Sequence, residues 1–123
     1  MEKNFVLNGN KLIRKFELKI DDNKFFIDKY DLKYHKSWDW LMQIVEKIEY
    51  LYEDESTLPK ININSHYCEF SLYLEQKDTF RAIAGCIPES PEKVIMKSKL
   101  EAVYYVVIKF IEWYNENNKS NKS

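Results

Sequence analysis

A chain of 123 residues with formal charge -1, 45% hydrophobic, 15% aromatic and 32% charged residues fits one domain with a single core and is too apolar for global disorder. Its longest apolar run, Ala102 to Ile108, falls far short of the roughly 20 residues that cross a bilayer, so no membrane span is expected. Met1 to Gly9 lacks the apolar stretch of a signal peptide, and a cytoplasmic protein is expected.

Charge is distributed unevenly. Residues 1–36 hold nine Lys/Arg against six acids, a net +3, whereas residues 37–56 hold Lys47 against six acids, a net -5. The two cysteines, Cys68 and Cys86, are 18 positions apart with no Cys-x-x-Cys spacing, and they read as free buried thiols rather than a disulfide.

In chain order, Asn8 to Phe16 reads as a short first helix, with Leu12, Ile13 and Phe16 on one side and Asn8 or Asn10 available as its cap. Phe16, Leu18 and Ile20 then alternate with Glu17 and Lys19. Across the turn cluster Asp21-Asp22-Asn23 they lead to Phe25 to Tyr30, the pattern of a β-hairpin. Ser37 can cap a second helix, in which Asp39 meets the positive end of the dipole and Trp38, Leu41, Met42, Val45, Ile48 and Tyr52 form a buried face. Glu53, Asp54 and Glu55 crowd like charge at its negative end, so Leu58-Pro59 begins a loop.

Ile61 and Ile63, then Cys68, Phe70, Leu72 and Leu74, alternate with polar residues, which predicts a second hairpin around Asn64 to His66. Phe80 to Ile87 adds a further strand, ended by Gly85, Pro88 and Pro91, and a mobile loop is expected from Pro88 to Lys97. Ser98 and Glu101 have capping-box spacing and mark the start of a third helix. Leu100, Val103, Tyr104, Val107, Ile111 and Tyr114 make its main apolar face. Val106, Ile108, Phe110 and Trp113 extend it around most of the circumference, so this helix is central or faces a partner. The expected organisation is a single domain over 1–115 and a disordered tail over 116–123. The expected fold class is α+β, three helices on one face of a small antiparallel sheet, in the order α-β-β-α-β-β-(β)-α.

The chemistry-bearing residues are sparse. His35 and His66 fit no metal spacing, so no metal and no cofactor is expected. A Cys/His nucleophilic pair using Cys68 or Cys86 remains open on sequence alone, beside the reading of inward-packed strand cysteines. Lys11, Arg14, Lys15, Lys19, Lys24, Lys29, Lys33 and Lys36 are interleaved with Phe25, Phe26, Tyr30 and Tyr34, a mixture suited to RNA backbone and base stacking but diluted by six acids. Trp38, Trp40 and Trp113 with Tyr50, Tyr104, Tyr105 and Tyr114 exceed what one buried face per helix absorbs, so some are expected at an interface or in a homo-oligomer. The candidate partner-binding residues are Trp40, Tyr50, Tyr105, Trp113, Glu53, Asp54, Glu55, Arg14 and Lys15, and no catalytic residue is assigned.

Three blocks, Asn10-Lys-Leu-Ile-Arg-Lys-Phe16, Tyr34 to Ile48 with its Ser-Trp-Asp-Trp-Leu-Met core, and Ser98 to Asn115, resemble a family of small proteins common in Bacteroidetes and their phages and prophages. The chain departs from that pattern at Gln43, where the family usually has Pro, and at Arg14 and Lys15, where it has less basic residues. A phage setting implies a small non-catalytic protein that acts by binding. The chain looks similar to an anti-CRISPR protein directed at the RNA-targeting type VI-B effector nuclease, which implies disturbed guide-RNA loading or target access. The partner would be that nuclease or another host protein, with guide RNA contacted within the complex. The alternative is a phage accessory protein of DNA metabolism or structural assembly, also acting by protein binding.

Overall fold

The computed structural model describes residues 2–20, 32–52, 60–74 and 77–119. Three helices, α1 (Lys3–Ile20), α2 (Trp38–Leu51) and α3 (Lys99–Lys119), combine with three strands, β1 (Lys60–Ile63), β2 (Tyr67–Leu74) and β3 (Lys77–Gly85), in the order α1-α2-β1-β2-β3-α3. The sheet is antiparallel with strand order β1-β2-β3, so the fold is α+β.

The largest difference from expectation is in α1. Phe16, Leu18 and Ile20 are helical and do not form the first strand of a hairpin, and the partner strand expected at 25–30 lies outside the described residues. Both periodicities fit this stretch, and burial decides between them. Ile13 and Phe16 are buried against α3, and Glu17 is buried with ionic partners, which holds the helix through to Ile20. Asn8 and Asn10 sit inside the helix, not at its start, and Asn10 is buried.

The strand pairing follows the alternation. Ile61 faces Phe70, Ile63 faces Cys68, Phe70 faces Ala82 and Leu72 faces Phe80. Asn64 Oδ1 accepts from the backbone N–H of His66 and Tyr67, both at 2.9 Å, which closes the β1–β2 turn in the manner of an Asx turn. The apolar set lies on the side covered by α3, and Glu69 and Arg81, paired at 2.6 Å, occupy the other.

α3 lies on the sheet, and α1 and α2 pack in turn on α3. That placement between layers accounts for an apolar surface all the way round: Ala102, Val103, Tyr104, Val106, Val107, Ile108, Phe110 and Ile111 are all buried. Phe110 is the centre, with ring centroids 6.4 Å from Phe16 on α1, 6.3 Å from Tyr52 after α2, 5.0 Å from Phe70 on β2 and 5.5 Å from Phe80 on β3. Ser98 caps α3 by accepting from Glu101 N at 3.2 Å, and the Glu101 carboxylate accepts from Lys97 N, one residue before the cap. The helix runs four residues past Asn115 to Lys119, into the segment expected to be tail, and 120–123 lie outside the described residues.

The segment between β3 and α3, expected as a mobile loop, is tied back onto the sheet. Gly85 N donates to Val94 O at 2.7 Å and Met96 N to Gly85 O at 2.8 Å, a parallel bridge that buries Ser90 against Gly85.

Candidate functional site

Ser37 starts α2 with extended backbone (φ -133°, ψ 119°) and accepts from Trp40 N, and Asp39 follows in the first turn. Leu41, Ile44, Val45 and Ile48 face inward. The outward side is not purely polar: Trp38 is 41% exposed, Tyr50 71% and Leu51 38%. Trp38 was expected in the buried face. It precedes the first full turn, and the inward position is taken by Leu41 and Ile44 instead.

Trp40 leans edge-on against Tyr34, with ring centroids 5.1 Å apart, and Tyr34 is buried. Beneath them lies Glu17, only 8% exposed. Its Oε1 accepts from Tyr34 Oη at 2.7 Å and from Arg14 Nη1 at 3.0 Å, and its Oε2 accepts from Lys47 Nζ at 2.8 Å. One carboxylate therefore joins α1, the turn before α2, and α2 itself. Burial pushes the Glu17 carboxyl up, but the hydrogen bonds from Lys47 and Tyr34, the Lys47 charge and Arg14 together hold it below its ordinary value. Burial first, and then the facing carboxylate, raise the Tyr34 phenol above its usual range. Removing one member of so enclosed an ion pair strands the other, at a cost of about 3–5 kcal/mol for a fully buried pair.

Two hollows open along this surface. One, of about 130 Å³, is lined by Arg14, Glu17, Tyr34, Trp40 and Gln43. The other, of about 420 Å³, is lined by Ile20, Gln43, Glu46, Lys47, Tyr50 and Leu51. Gln43 borders both, so the surface is continuous along α2 from Trp40 to Leu51.

The structure thus brings together Arg14 and Trp40, with Tyr50 on the adjoining hollow. The other candidates lie elsewhere. Tyr105 sits between α1 and α3 beside Phe5, with Lys109 Nζ 5.4 Å from its ring centroid, and borders a separate hollow of about 300 Å³ with Glu2, Phe5 and Met96. Trp113 is half-buried on Phe80 and Phe110, at 5.5 and 5.7 Å. Lys15 is exposed, and Glu53, Asp54 and Glu55 lie outside the described residues. Tyr104, counted among the surplus aromatics, is fully buried. Sequence reasoning missed Glu17, Tyr34, Gln43 and Lys47 as one group. Their separations along the chain carry no local pattern, and only the uncommon alternation of Glu17 among Phe16 and Leu18 hints that a carboxylate points inward.

The RNA-binding mixture in the first third of the chain is reduced by the same geometry. Tyr34 is enclosed, and Arg14 is committed in part to Glu17, so neither is presented as a base-stacking or phosphate-binding side chain. Lys24, Phe25, Phe26, Lys29 and Tyr30 lie outside the described residues.

Catalytic alternatives are weakly furnished among the described residues. They hold no group of three His, Cys, Asp or Glu arranged for a metal ion. Cys68 and Cys86 are free and buried, as expected. Cys68 Sγ is 3.9 Å from Lys99 O, and Cys86 Sγ is 3.7 Å from Ser65 O. Burial, with Cys86 adding to it, pushes the Cys68 thiol up to about 11, so it stays protonated at neutral pH and lacks the thiolate of an activated nucleophile. No helix is long and apolar enough to cross a membrane among the described residues.

Comparisons with family models, with curated proteins and with solved structures find no match to the chain.

Proposed function

We propose that the chain is a small non-catalytic protein that binds and inhibits a bacterial defence complex, and that α2 carries the contact surface. The observation that carries this reading is the outward side of α2. Exposed Tyr50 and Leu51 line the larger hollow beside Glu46 and Lys47, with Trp40 on the adjoining one, an arrangement of aromatic anchors beside polar groups that resembles an interface hot spot. The block that resembles the Bacteroidetes and phage family, Tyr34 to Ile48, covers much of this surface. That resemblance is the support for naming the partner as the type VI-B RNA-guided nuclease. Occupation of the nuclease's guide or target channel by this domain would disturb guide-RNA loading or target access, with guide RNA contacted inside the complex. The setting of such an interaction is the host cytoplasm.

The test is co-expression of the tagged chain with the effector and its guide RNA, followed by analysis of the eluate for protein and RNA and a cleavage assay on target RNA. Co-elution of the nuclease with loss of cleavage is expected, and the presence or absence of guide RNA separates binding of the loaded complex from blocked loading. Undiminished cleavage with the chain in excess overturns the reading, and co-elution of phage replication or assembly proteins instead would move the chain to an accessory role.

A further inference from the structure

α1 carries Lys3, Lys11, Arg14, Lys15 and Lys19 against one acid, Glu17. The fold removes that acid from the surface: Glu17 is buried, and its carboxylate accepts from Arg14, Tyr34 and Lys47. The four lysines are all exposed. With Leu7, 53% exposed, they fall at positions 3, 7, 11, 15 and 19, each four residues after the last. Such a row forms one ridge on the helix surface, inclined by about 26° to the axis and, from Lys3 to Lys19, about 24 Å long. None of the four lysines forms an ion pair among the described residues. Neighbouring acids are turned elsewhere: Glu2 borders the hollow of Phe5, Met96 and Tyr105, and Glu112 lies 3.4 Å from Lys109. Asp21 and Asp22, which follow the helix in the chain, lie outside the described residues.

Helix stability does not account for this row. Lys19 suits the negative end of the dipole, but Lys3 stands in the first turn, at the positive end. Lys11 with Lys15, and Lys15 with Lys19, put like charges at i,i+4 spacing, which weakens a helix. Nor does the ridge resemble the centre of a protein interface, where lysine is depleted and aromatic residues are concentrated. It has no aromatic side chain, Leu7 is its one apolar member, and exposed Asn4 and Asn8 add amide donors. Unpaired cations with neutral donors and no stacking platform match a phosphate backbone, which is held by Lys, Arg and Asn side chains. Single strands are held largely by stacking on aromatic rings, whereas duplex RNA is bound through its shape, phosphates and 2′-hydroxyls.

We propose that the α1 ridge is a docking surface for the phosphate backbone of double-helical RNA, with Lys3, Lys11, Lys15 and Lys19 as sequence-independent contacts. This deepens the function proposed above and rests on its premise that guide RNA is contacted inside the complex; it assigns that contact to α1 and leaves the protein contact to α2. The two helices differ in charge accordingly. α2 exposes Asp39 and Glu46, with Glu49 half-buried, and its one cation, Lys47, meets Glu17. A polyanion is therefore repelled from α2 and drawn to α1. The loss of Tyr34 and Arg14 from the surface removes base stacking and bidentate phosphate recognition, and leaves a contact made by charge alone.

The test needs no partner protein. A fluorescein-labelled RNA duplex of arbitrary sequence and about 20 base pairs is titrated with the full chain, and anisotropy is followed from about 50 to about 200 mM salt. Four lysine contacts predict a slope of log K against log salt of about −3 to −4, a loss of roughly 100-fold over that range. Lys11→Gln with Lys15→Gln should reduce the slope by about 2 without lowering the melting temperature. Lys60→Gln with Lys93→Gln, at exposed lysines elsewhere on the chain, should leave the slope unchanged. Absence of duplex binding at the lower salt, salt-independent binding, or an equal loss in the two double variants overturns the proposal. Tighter binding of the single strand than of the duplex overturns it in favour of strand recognition, and tighter binding of poly-glutamate overturns it in favour of an acidic protein surface. Failure with the duplex leaves the nuclease co-elution result untouched, and failure of that co-elution leaves the duplex result untouched.

Discussion

Tyr104 on α3 donates its hydroxyl proton to Asn10 Oδ1 on α1 at 3.0 Å, across 94 positions of sequence, with Val6 O a further acceptor at 3.1 Å. Asn10 Nδ2 in turn donates to Leu32 O at 3.1 Å and lies 3.0 Å from His35 Nδ1. A single buried amide thus satisfies polar groups from three parts of the chain. Asn10→Leu should therefore destabilise by about 1–3 kcal/mol, because it strands buried donors and acceptors. Tyr104→Phe should cost less, about 1 kcal/mol, since Asn10 keeps its other contacts. Urea denaturation of the pair checks the order; an Asn10→Leu loss below that of Tyr104→Phe would show that Asn10 is not the hub.

Gly9 is what lets Tyr104 approach. A Cβ there would collide with Tyr104 Oη and lie 2.6 Å from Ile108 Cδ1. In an exposed helix Gly→Ala gains about 1 kcal/mol. Here overpacking of about 1–3 kcal/mol opposes it, because the tyrosine is buried and hydrogen-bonded and has nowhere to move. Gly9→Ala should thus lower the melting temperature, and Gly9→Ala in the Tyr104→Phe background should recover part of the loss.

Glu17 sets the acid limit. Its carboxyl is held below its ordinary value, so its contribution is fully present above the ordinary carboxylate range and is lost as pH falls through the lowered folded value. Stability measured from pH 7 downward should hold until below about pH 4.5 and then fall, with Glu17→Gln flattening that fall. At neutral pH Glu17→Gln should cost about 2–4 kcal/mol, because Lys47 and Arg14 lose their anion. An unchanged acid profile in Glu17→Gln would place the acid limit elsewhere.

Farther along the same surface of α2, exposure separates binding from folding. Tyr50 is 71% exposed, so Tyr50→Ala should change stability by less than about 0.5 kcal/mol. If α2 is the contact surface, the same change should weaken partner binding by about 2 kcal/mol or more, roughly 30-fold. Trp40→Ala should lower both, because it also uncovers Tyr34. Calorimetric titration beside thermal unfolding tells the two effects apart.

The thiols give a chemical check on the fold. Cys68 and Cys86 are buried, and burial holds the Cys68 thiol near 11, so neither should react with an aromatic disulfide reagent at pH 8 within the time that the unfolded chain reacts fully. Fast labelling of the native protein at either position would contradict the packing of β2 and the Cys86 turn beneath α3.

Much of the fold was legible because its signals are local. The Ser37 cap, the Ser98 and Glu101 spacing and the alternation of Cys68, Phe70 and Leu72 each specify an element from within a few residues. The apolar circumference of α3 gave its central position for the same reason. What was misread depends on distant partners. Asn8-Gly9-Asn10 has the composition of a cap or turn, yet Gly9 and Asn10 are used inside a helix because Tyr104, far along the chain, needs the space and the amide. Phe16, Leu18 and Ile20 alternate like a strand, and the helix prevails because Glu17 finds Lys47 and Tyr34. Of the proposed contact surface, Arg14, Trp40 and Tyr50 were named from the sequence, but the pocket that joins the first two exists only where α1 meets α2.

The helix on which α1, α2, β2 and β3 pack follows all of them in the chain. Until the stretch around Phe110 has left the ribosome, Phe16 on α1 and the Phe70–Phe80 pair on the sheet lack the ring that joins them, and Asn10 lacks the Tyr104 hydroxyl. The growing chain must therefore carry α1, α2 and the hairpins as loosely associated, apolar-rich segments, and it closes in one late, cooperative step. A chain made this way is exposed to chaperones and proteases until α3 has emerged. Small losses in the Phe110 cluster should then show first as lowered yield in the cell, before any change in the purified protein's activity.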